Sequence, residues 1–513
     1  MKNKILLQII CCFIGFCVSS CINDKGNYVY EDASNVMPVV ISGFNDTTII
    51  IGSDLRIDPI LQNVDNVDYV YTWSATTAVA AGGGLVKVIL SHERVLNVPL
   101  KLAVGNYTLN LEVKNVERDI YVRRAVSLSV VATNINTGWF ILKDIDGETD
   151  FDYFSLDGSF QQPDVLYNVI PPFERMKGTA IKMIYQNQRY YHLMPNESGG
   201  TTSLTNQRVY HILSSQDICT YDASMLRLFK KYEAQFYGVP EVCRPQSILF
   251  LSSSYDLFIL NNGKVHSIYG MAVNAGKYDY QKISPLGAYD MHSDMISSEN
   301  NNVLLFDIKS SSFCYANNYG ENIVYLNDES SSVIEPIGVS PRNMPYTLVN
   351  LIQRTREFQT SSAYAIMKSK SSNDYFIASV SFGNTPANYP FTSFRPIPAS
   401  CKMPLADVKA CPNSGNFVYF GDGNKLCVYR DLDLDQRESV IKTFPAGETI
   451  SYITHIFVNS TSYNYIVVLT NSSSGYKMYA FNLIGSGNPE IVDEPLFTYS
   501  GTGNARNVLF RRI

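Results

Sequence analysis

Residues 247–270 read SILFLSSSYDLFILNNGKVHSIYG. Three strand-forming runs, Ile248–Leu251, Leu257–Leu260 and Lys264–Tyr269, are joined by Ser-Tyr-Asp and Asn-Asn-Gly. Asn-Gly is the dipeptide whose positive φ angles match the twist of a tight hairpin, so the stretch reads as a small antiparallel sheet.

The same unit returns on both sides. Within Gly415–Leu434, Phe417–Phe420 and Lys425–Arg430 flank a Gly-Asp-Gly-Asn turn. Further units start near Trp139, Arg189, Val303, Ala363 and Tyr465. Seven starts at a period of roughly 50–60 residues fall in the range of propeller blades, and antiparallel sheets of that period close naturally into a ring. The fold class expected is therefore all-β, with a seven-bladed β-propeller over residues 139–513. The last strand, Asn507–Arg511, is expected to pair with Trp139–Leu142 and close the ring. Two stretches break the pattern and are expected as short helices. In Asp222–Phe236, Met225, Leu228, Phe229, Tyr232 and Phe236 fall at helical spacing, and the second stretch is Pro345–Phe358.

Upstream, residues 38–133 hold shorter strands. Val39–Ile41, Thr48–Ile51, Leu55–Ile57, Val70–Trp73, the alternating Leu96–Leu102 and Tyr107–Val113, and Ala125–Val131 are separated by Gly, Asp and Asn. About seven strands in such a length is the spacing of an Ig-like sandwich. Trp73, on one face with Tyr69 and Tyr71, is expected in its core. Asn134–Gly138 reads as a short hinge.

The first 21 residues, MKNKILLQIICCFIGFCVSSC, place Lys2 and Lys4 before an apolar run that is too short to span a bilayer, which needs ~20 apolar residues. Residues 1–20 read as an export signal and 21–37 as a polar tether. The closing Val18-Ser19-Ser20-Cys21 resembles a bacterial lipobox, which implies that Cys21 carries lipid. The formal charge is −6, and −8 without Lys2 and Lys4. No Lys/Arg-rich segment occurs, so the basic footprint of a nucleic-acid binder is missing.

Tyr71-Thr72-Trp73 followed by Gly-Asn-Tyr-Thr-Leu-Asn-Leu-Glu-Val at 105–113 resembles the PKD-like branch of Ig-like modules. Taken with the lipobox and Cys21-Ile-Asn-Asp-Lys-Gly-Asn-Tyr, the layout is similar to that of the PKD-like family lipoproteins of Bacteroidetes. The Phe-Gly-Asp-Gly that often follows the tryptophan in PKD domains is replaced here by Ser74-Ala75-Thr76. The resemblance implies an outer-membrane lipoprotein, on the cell surface or the periplasmic face. It also implies a place beside a transporter and substrate-binding lipoprotein pair that imports glycans or peptides.

Four groups of residues bear on chemistry. Asp144, Asp146, Glu148 and Asp150 surround Gly147 with alternate oxygens, as a Ca²⁺ loop requires, but Asp-Gly is also a common hairpin turn. Cys401 and Cys411, like Cys219 and Cys243, are near enough in sequence for a disulfide, with free buried thiols as the alternative. Asp46-Thr47-Thr48 resembles an O-glycosylation sequon of exported Bacteroidetes proteins, with Thr47 as acceptor. Six histidines lie scattered, of which His192 and His211 are placed to face each other across one hairpin. No nucleophile elbow, HExxH or phosphate-cradling loop occurs, and no cofactor is expected. The function expected is a non-catalytic, lipid-anchored binding accessory of nutrient acquisition. The alternatives are a propeller hydrolase or lyase, and a protein-binding scaffold or adhesin.

Overall fold

A computed structural model describes residues 39–512, except 65–66, 79–84, 132–134, 136, 196–200, 225, 273–275, 298–301, 318–319, 329–336, 355–361, 382–388, 413–414, 432–436, 459–462 and 485–487. The export signal, Cys21 and the tether lie outside the described residues. Strands make up 60% of the structure and helix 2%, so the fold is all-β.

Nine strands build the N-terminal layers: β1 (Val40–Ser42), β2 (Thr47–Ile50), β3 (Asp54–Ile57), β4 (Ile60–Gln62), β5 (Tyr69–Ala78), β6 (Leu85–Ser91), β7 (Leu96–Pro99), β8 (Gly105–Asn115) and β9 (Ile120–Val131). One sheet has the order β2-β9-β8-β5-β6, with β2 parallel to β9, while β1 pairs with β4 and β3 with β7. Side chains alternate between faces along a strand. Trp73, Leu109, Leu111 and Val113 of the large sheet thus turn inward to meet Ile41, Leu55, Ile57 and Leu96. Trp73 is fully buried, as expected. Its indole N–H donates to the Arg94 carbonyl at 3.2 Å, and its ring lies 5.1 Å from that of Phe44. Strands β4 and β6 were not legible in the sequence.

From Gly138 onward, the described residues form seven successive sheets. Sheet 1 holds Gly138–Ile145, Glu148–Ser155, Gln161–Gln162 and Met176–Lys177, and takes as its first strand the last of the chain, Asn504–Arg511. That strand pairs Trp139 with Phe510 and Leu142 with Asn507, the pairing expected from the sequence. Sheets 2 to 7 begin with Ala180–Pro195, Pro245–Leu251, Ile296–Ser297, Tyr346–Gln353, Lys409–Ala410 and Thr449–Val458, and the later strands of each add outward in chain order.

Both faces of these sheets are dry. In Phe417–Asp422 of sheet 6, Phe417 and Tyr419 pack into a layer shared with sheet 7, while Val418 and Phe420 pack into one shared with sheet 5. Corresponding layers join sheets 2 and 3, 3 and 4, and 4 and 5. Another joins sheet 7 to Trp139, Ile141 and Val508 of sheet 1, so the succession of packed faces returns to its start. The layer between sheets 1 and 2 merges with the core of the N-terminal strands through Val165, Leu166, Val169 and Ile170. Ile135, in the expected hinge, is 1% exposed within this merged core, so the junction there is packed rather than open.

Neither expected helix forms as read. Asp222 ends one strand of sheet 2, Leu228–Lys230 is the next, and Tyr232–Ala234 is a single 3₁₀ turn. The helical spacing arises because Leu228 packs on the core of the first two sheets whereas Tyr232 and Phe236 fill the layer between sheets 2 and 3. Pro345–Phe358 contains the first strand of sheet 5, Tyr346–Gln353, instead.

Candidate functional site: an axial cavity

The first strands of the seven sheets lie against one another in succession, and the strand of sheet 1 touches those of both sheet 7 and sheet 2. They enclose a cavity of about 700 Å³. Five of these strands carry a one-residue bulge at the corresponding place, where Ile181, Gln246, Val349, Ser451 and Arg506 have no partner across the ladder. A bulge increases local twist and re-aims the side chains that follow it. The next residue in each case is Lys182, Ser247, Asn350, Tyr452 or Asn507, and all five line the cavity. Sheets 4 and 6, whose first strands are only two residues long, supply Asp294 and Lys409. Each sheet thus contributes one polar residue to a girdle. Two positions on, the same side of the strand turns apolar, with Leu249 after Ser247 and Ile352 after Asn350. Phe457 and Phe510 add aromatic surface to the wall.

The girdle also binds neighbouring strands together. The Met183 N–H donates to Asn507 Oδ1 at 3.1 Å, and the Leu351 N–H donates to Asp294 Oδ2 at 2.8 Å. Lys409 Nζ donates to Asn350 Oδ1 at 2.6 Å and to the Ala406 carbonyl. Splayed strands around an axis do not share a backbone ladder, so side chains take these amides on the inner edge of the first strands. Lys182 differs from its neighbours. Among the described residues it has no hydrogen bond or ion pair, and burial lowers its pKa against the pull of Asp294. Burial also brings Lys409 down to about 8, opposed by Asp407 and Asp294. His455, lining the same wall, is lowered by burial and has Nε2 2.7 Å from Asn464 Oδ1.

The acidic stretch expected at a Ca²⁺ loop does not converge on a cation. Asp146 and Gly147, both at positive φ, form the tight turn of the first hairpin, and Glu148 is exposed beside them. Asp144 accepts from Arg506 Nε at 2.6 Å and from the Ala180 N–H. Asp150 is wholly buried and accepts the N–H groups of Leu166 and Phe151, each at 2.8 Å. The register explains this dispersal, because Asp144 stands opposite Thr149 and Asp150 opposite Lys143, so the pleat turns Asp144 and Asp150 to opposite faces of the hairpin. A neighbouring group does converge, with buried Lys143 2.6 Å from Asp152 and 3.0 Å from Asp164. Among the described residues, no cluster of three or more His, Cys, Asp or Glu side chains has metal-holding geometry.

Cys401 and Cys411 correct the disulfide expectation. Both are free thiols in the apolar layer between sheets 5 and 6, and Cys219 and Cys243 are free as well. Thr47 opens β2 and donates its hydroxyl to the Asn45 carbonyl at 2.9 Å, while Asp46 caps the Ser127 N–H. His192 and His211 do not face each other. His211 is held between Gln186 and Thr220 at 3.0 Å each, while His192 stacks on Phe229. Burial brings their pKa values down to about 3 and about 4 respectively.

The girdle itself escaped sequence reading. Its residues are single polar positions on the first strand of each sheet or just before it, and the signal they left was a polar residue beside or one strand ahead of each apolar run.

Residues 21–178 match the family model of the PKD-like family, a span that covers the N-terminal layers and runs into sheet 1. Comparison with curated proteins finds no match. Among solved structures, a dihydro-heme d1 dehydrogenase NirN in complex with DHE is similar at 8% identity, covering 74% of this chain and 76% of its own, with a TM-score of 0.36. The fission yeast SREBP-SCAP binding domains align at 8% identity over 56% and 76%, with a TM-score of 0.30. A eukaryotic initiation factor aligns at 9% over 73% and 98%, with a TM-score of 0.28. Likeness this slight carries no argument about function.

Proposed function

We propose that the seven sheets are the blades of a β-propeller whose axial cavity binds a small glycan or peptide ligand without turning it over. In this reading the protein is lipid-anchored through Cys21 at the outer membrane, in an organism of the Bacteroidetes. It serves there as an accessory to a transporter and substrate-binding lipoprotein. The observation that carries the reading is the girdle, in which one polar residue from each sheet lines a preformed cavity beside an apolar wall. Cavities of roughly 300–1,000 Å³ with a few fixed polar groups on an apolar lining are the usual form of small-ligand sites. Rigid strands hold these groups, and the bulges that orient them recur in five sheets. The cyclic packing of the seven sheets, with the C-terminal strand completing the first, supports the propeller architecture.

A single preparation tests the reading. The Cys21→Ser chain is expected in the soluble fraction while the unaltered chain sediments with membranes. The soluble form is then screened calorimetrically against oligosaccharides and short peptides, beside a Thr454→Trp variant whose indole fills the cavity. Binding that Thr454→Trp abolishes supports the axial site. Binding indifferent to that substitution, or hydrolysis of the bound ligand, overturns it.

A further inference from the structure

The cavity wall carries two amines, Lys182 and Lys409, and two carboxylates, Asp294 and Asp407, and these charges are not equally committed. Of its charged girdle residues, Asp294 already spends one carboxylate oxygen on the Leu351 N–H. Lys409 directs its ammonium to Asn350 and the Ala406 carbonyl, leaving one N–H direction unused. Lys182, half-buried on the wall, has no hydrogen-bonding or ion-pairing partner among the described residues. A cation taken partly out of water with no anion paired to it is unfavourable, and the deficit is recovered when an anion enters. Among the described residues Asp294 is the carboxylate that acts on Lys182, and it acts on Lys409 as well. Asp407, which also lines the cavity, acts on Lys409, so the half-committed Asp294 is what Lys182 has to share. Around them, Gln246, Ser247, Gln353 and Thr454 present amides and hydroxyls, and Phe457 and Phe510 present ring surface.

We propose that the axial cavity recognises a carboxylate on its ligand, held by the ammonium of Lys182, with Lys409 a second cation on the same wall. This rests on the axial-site reading above and adds the ligand's chemistry to it. A sugar acid and an acidic peptide both carry that group. The remaining wall suits either, since hydroxyl-rich and amide-rich ligands use the same amide and hydroxyl partners.

The test uses the soluble Cys21→Ser chain and four probes: digalacturonate, its dimethyl ester, N-acetyl-Glu-Glu-amide and N-acetyl-Gln-Gln-amide. The expected result is that an acid binds about tenfold or more tighter than its uncharged counterpart, a difference of ~1.4 kcal/mol. The acid that binds, sugar or peptide, identifies the source of the carboxylate. Lys182→Met is expected to remove that preference and Lys182→Arg to keep it, which separates lost charge from lost folding. Affinity for the acid is further expected to fall as pH rises from about 7 to about 9, because burial lets Lys409 release its proton near 8. Equal binding of acid and neutral probes, an unaffected Lys182→Met, or no binding of any probe overturns the carboxylate inference. Acid binding that survives Thr454→Trp overturns the axial site itself, so the two failures are distinguishable.

Discussion

The N-terminal layers and the seven sheets are built from the same antiparallel strands but spend them differently. Strand β9 alternates along its first half between half-buried and exposed residues, with Leu128 and Val130 buried only where it crosses the core. Asn302–Asp307 of sheet 4 is buried at every position. A sheet with one wet face writes a period of two into its sequence, whereas a sheet packed on both faces writes a continuous apolar run. The first pattern locates a strand and says which side is the core. The second locates a strand and hides which neighbour each side chain meets.

The sharpest break between the two regions is closure. The N-terminal strands complete their pairing within residues 40–131, while sheet 1 lacks its first strand until Asn504–Arg511 returns from the far end of the chain. Truncation after residue 503 would leave Gly138–Ile145 as an open edge. It would also strip Ala505 and Val508 from the layer between sheets 7 and 1. Open apolar edges pair with other chains. The truncated protein is expected to lose cooperative unfolding and to aggregate, as read by calorimetry and gel filtration. A monomer with an unchanged transition would show that closure contributes nothing.

Next in size is a comparison of adjacent positions. Leu304 packs between sheets 4 and 5 and Leu305 between sheets 3 and 4, both wholly buried. Leu304→Ala and Leu305→Ala are each expected to cost about 2–5 kcal/mol in denaturant unfolding. In β9 the asymmetry should reappear. Leu128→Ala is expected to cost a similar amount, and Ser127→Ala, on the exposed side, less than about 0.5 kcal/mol. A tolerant Leu304 or Leu305 would show that one of its two faces is not a true core.

The same contrast explains what could be read in advance. Trp73, the strand runs of the N-terminal layers, and the pairing of Asn507–Arg511 with Trp139–Leu142 were legible because each rests on local periodicity or on the need to cover an edge. The start of each sheet was read one strand late in sheets 4, 5, 6 and 7, at Val303, Ala363, Phe417 and Tyr465. The true first strands of sheets 4 and 6 are only two residues long, and those of sheets 5 and 7 are bulged and interrupt their apolar residues with polar ones, so none carries a long apolar run. Lys182, Asp294 and Lys409 could not be singled out among 41 Lys and Arg and 47 Asp and Glu residues, because only the convergence of distant strands brings them together. The Asp144–Asp150 stretch, which the sequence leaves open between a Ca²⁺ loop and a hairpin turn, forms the turn. Its acidic residues are adjacent in sequence, and the pleat separates them.

The smallest expected effect concerns charge. In the N-terminal layers the ion pairs are at the surface, as with Lys114 and the exposed Asp119, whose carboxyl Lys114 holds below its usual range. Such pairs contribute little. In sheet 1, Asp150 is wholly buried, and desolvation pushes its carboxyl up to about 7 despite the N–H groups of Leu166 and Phe151 and the nearby Lys143. The unfolded chain releases this proton near 4 while the folded chain keeps it to about 7. Between these values the folded state binds more protons, so Asp150 makes stability fall as pH rises through that window and adds no slope above it. Buried His211, lowered to about 3, has the opposite effect, losing stability as pH falls below about 6.5, so the Asp150 term must be taken as a difference between proteins. Asp150→Asn keeps an acceptor for the two amides, gives up at every pH the contacts of Oδ2 with the Tyr167 N–H and Arg175, and abolishes the titration. Urea unfolding across this range should therefore show the variant gaining on the parent as pH rises, by at most about 1.4 kcal/mol per pH unit. Asp119→Asn in the N-terminal layers is expected to run parallel to the parent throughout. If instead the two substitutions changed the pH profile alike, burial would not be what distinguishes the two regions.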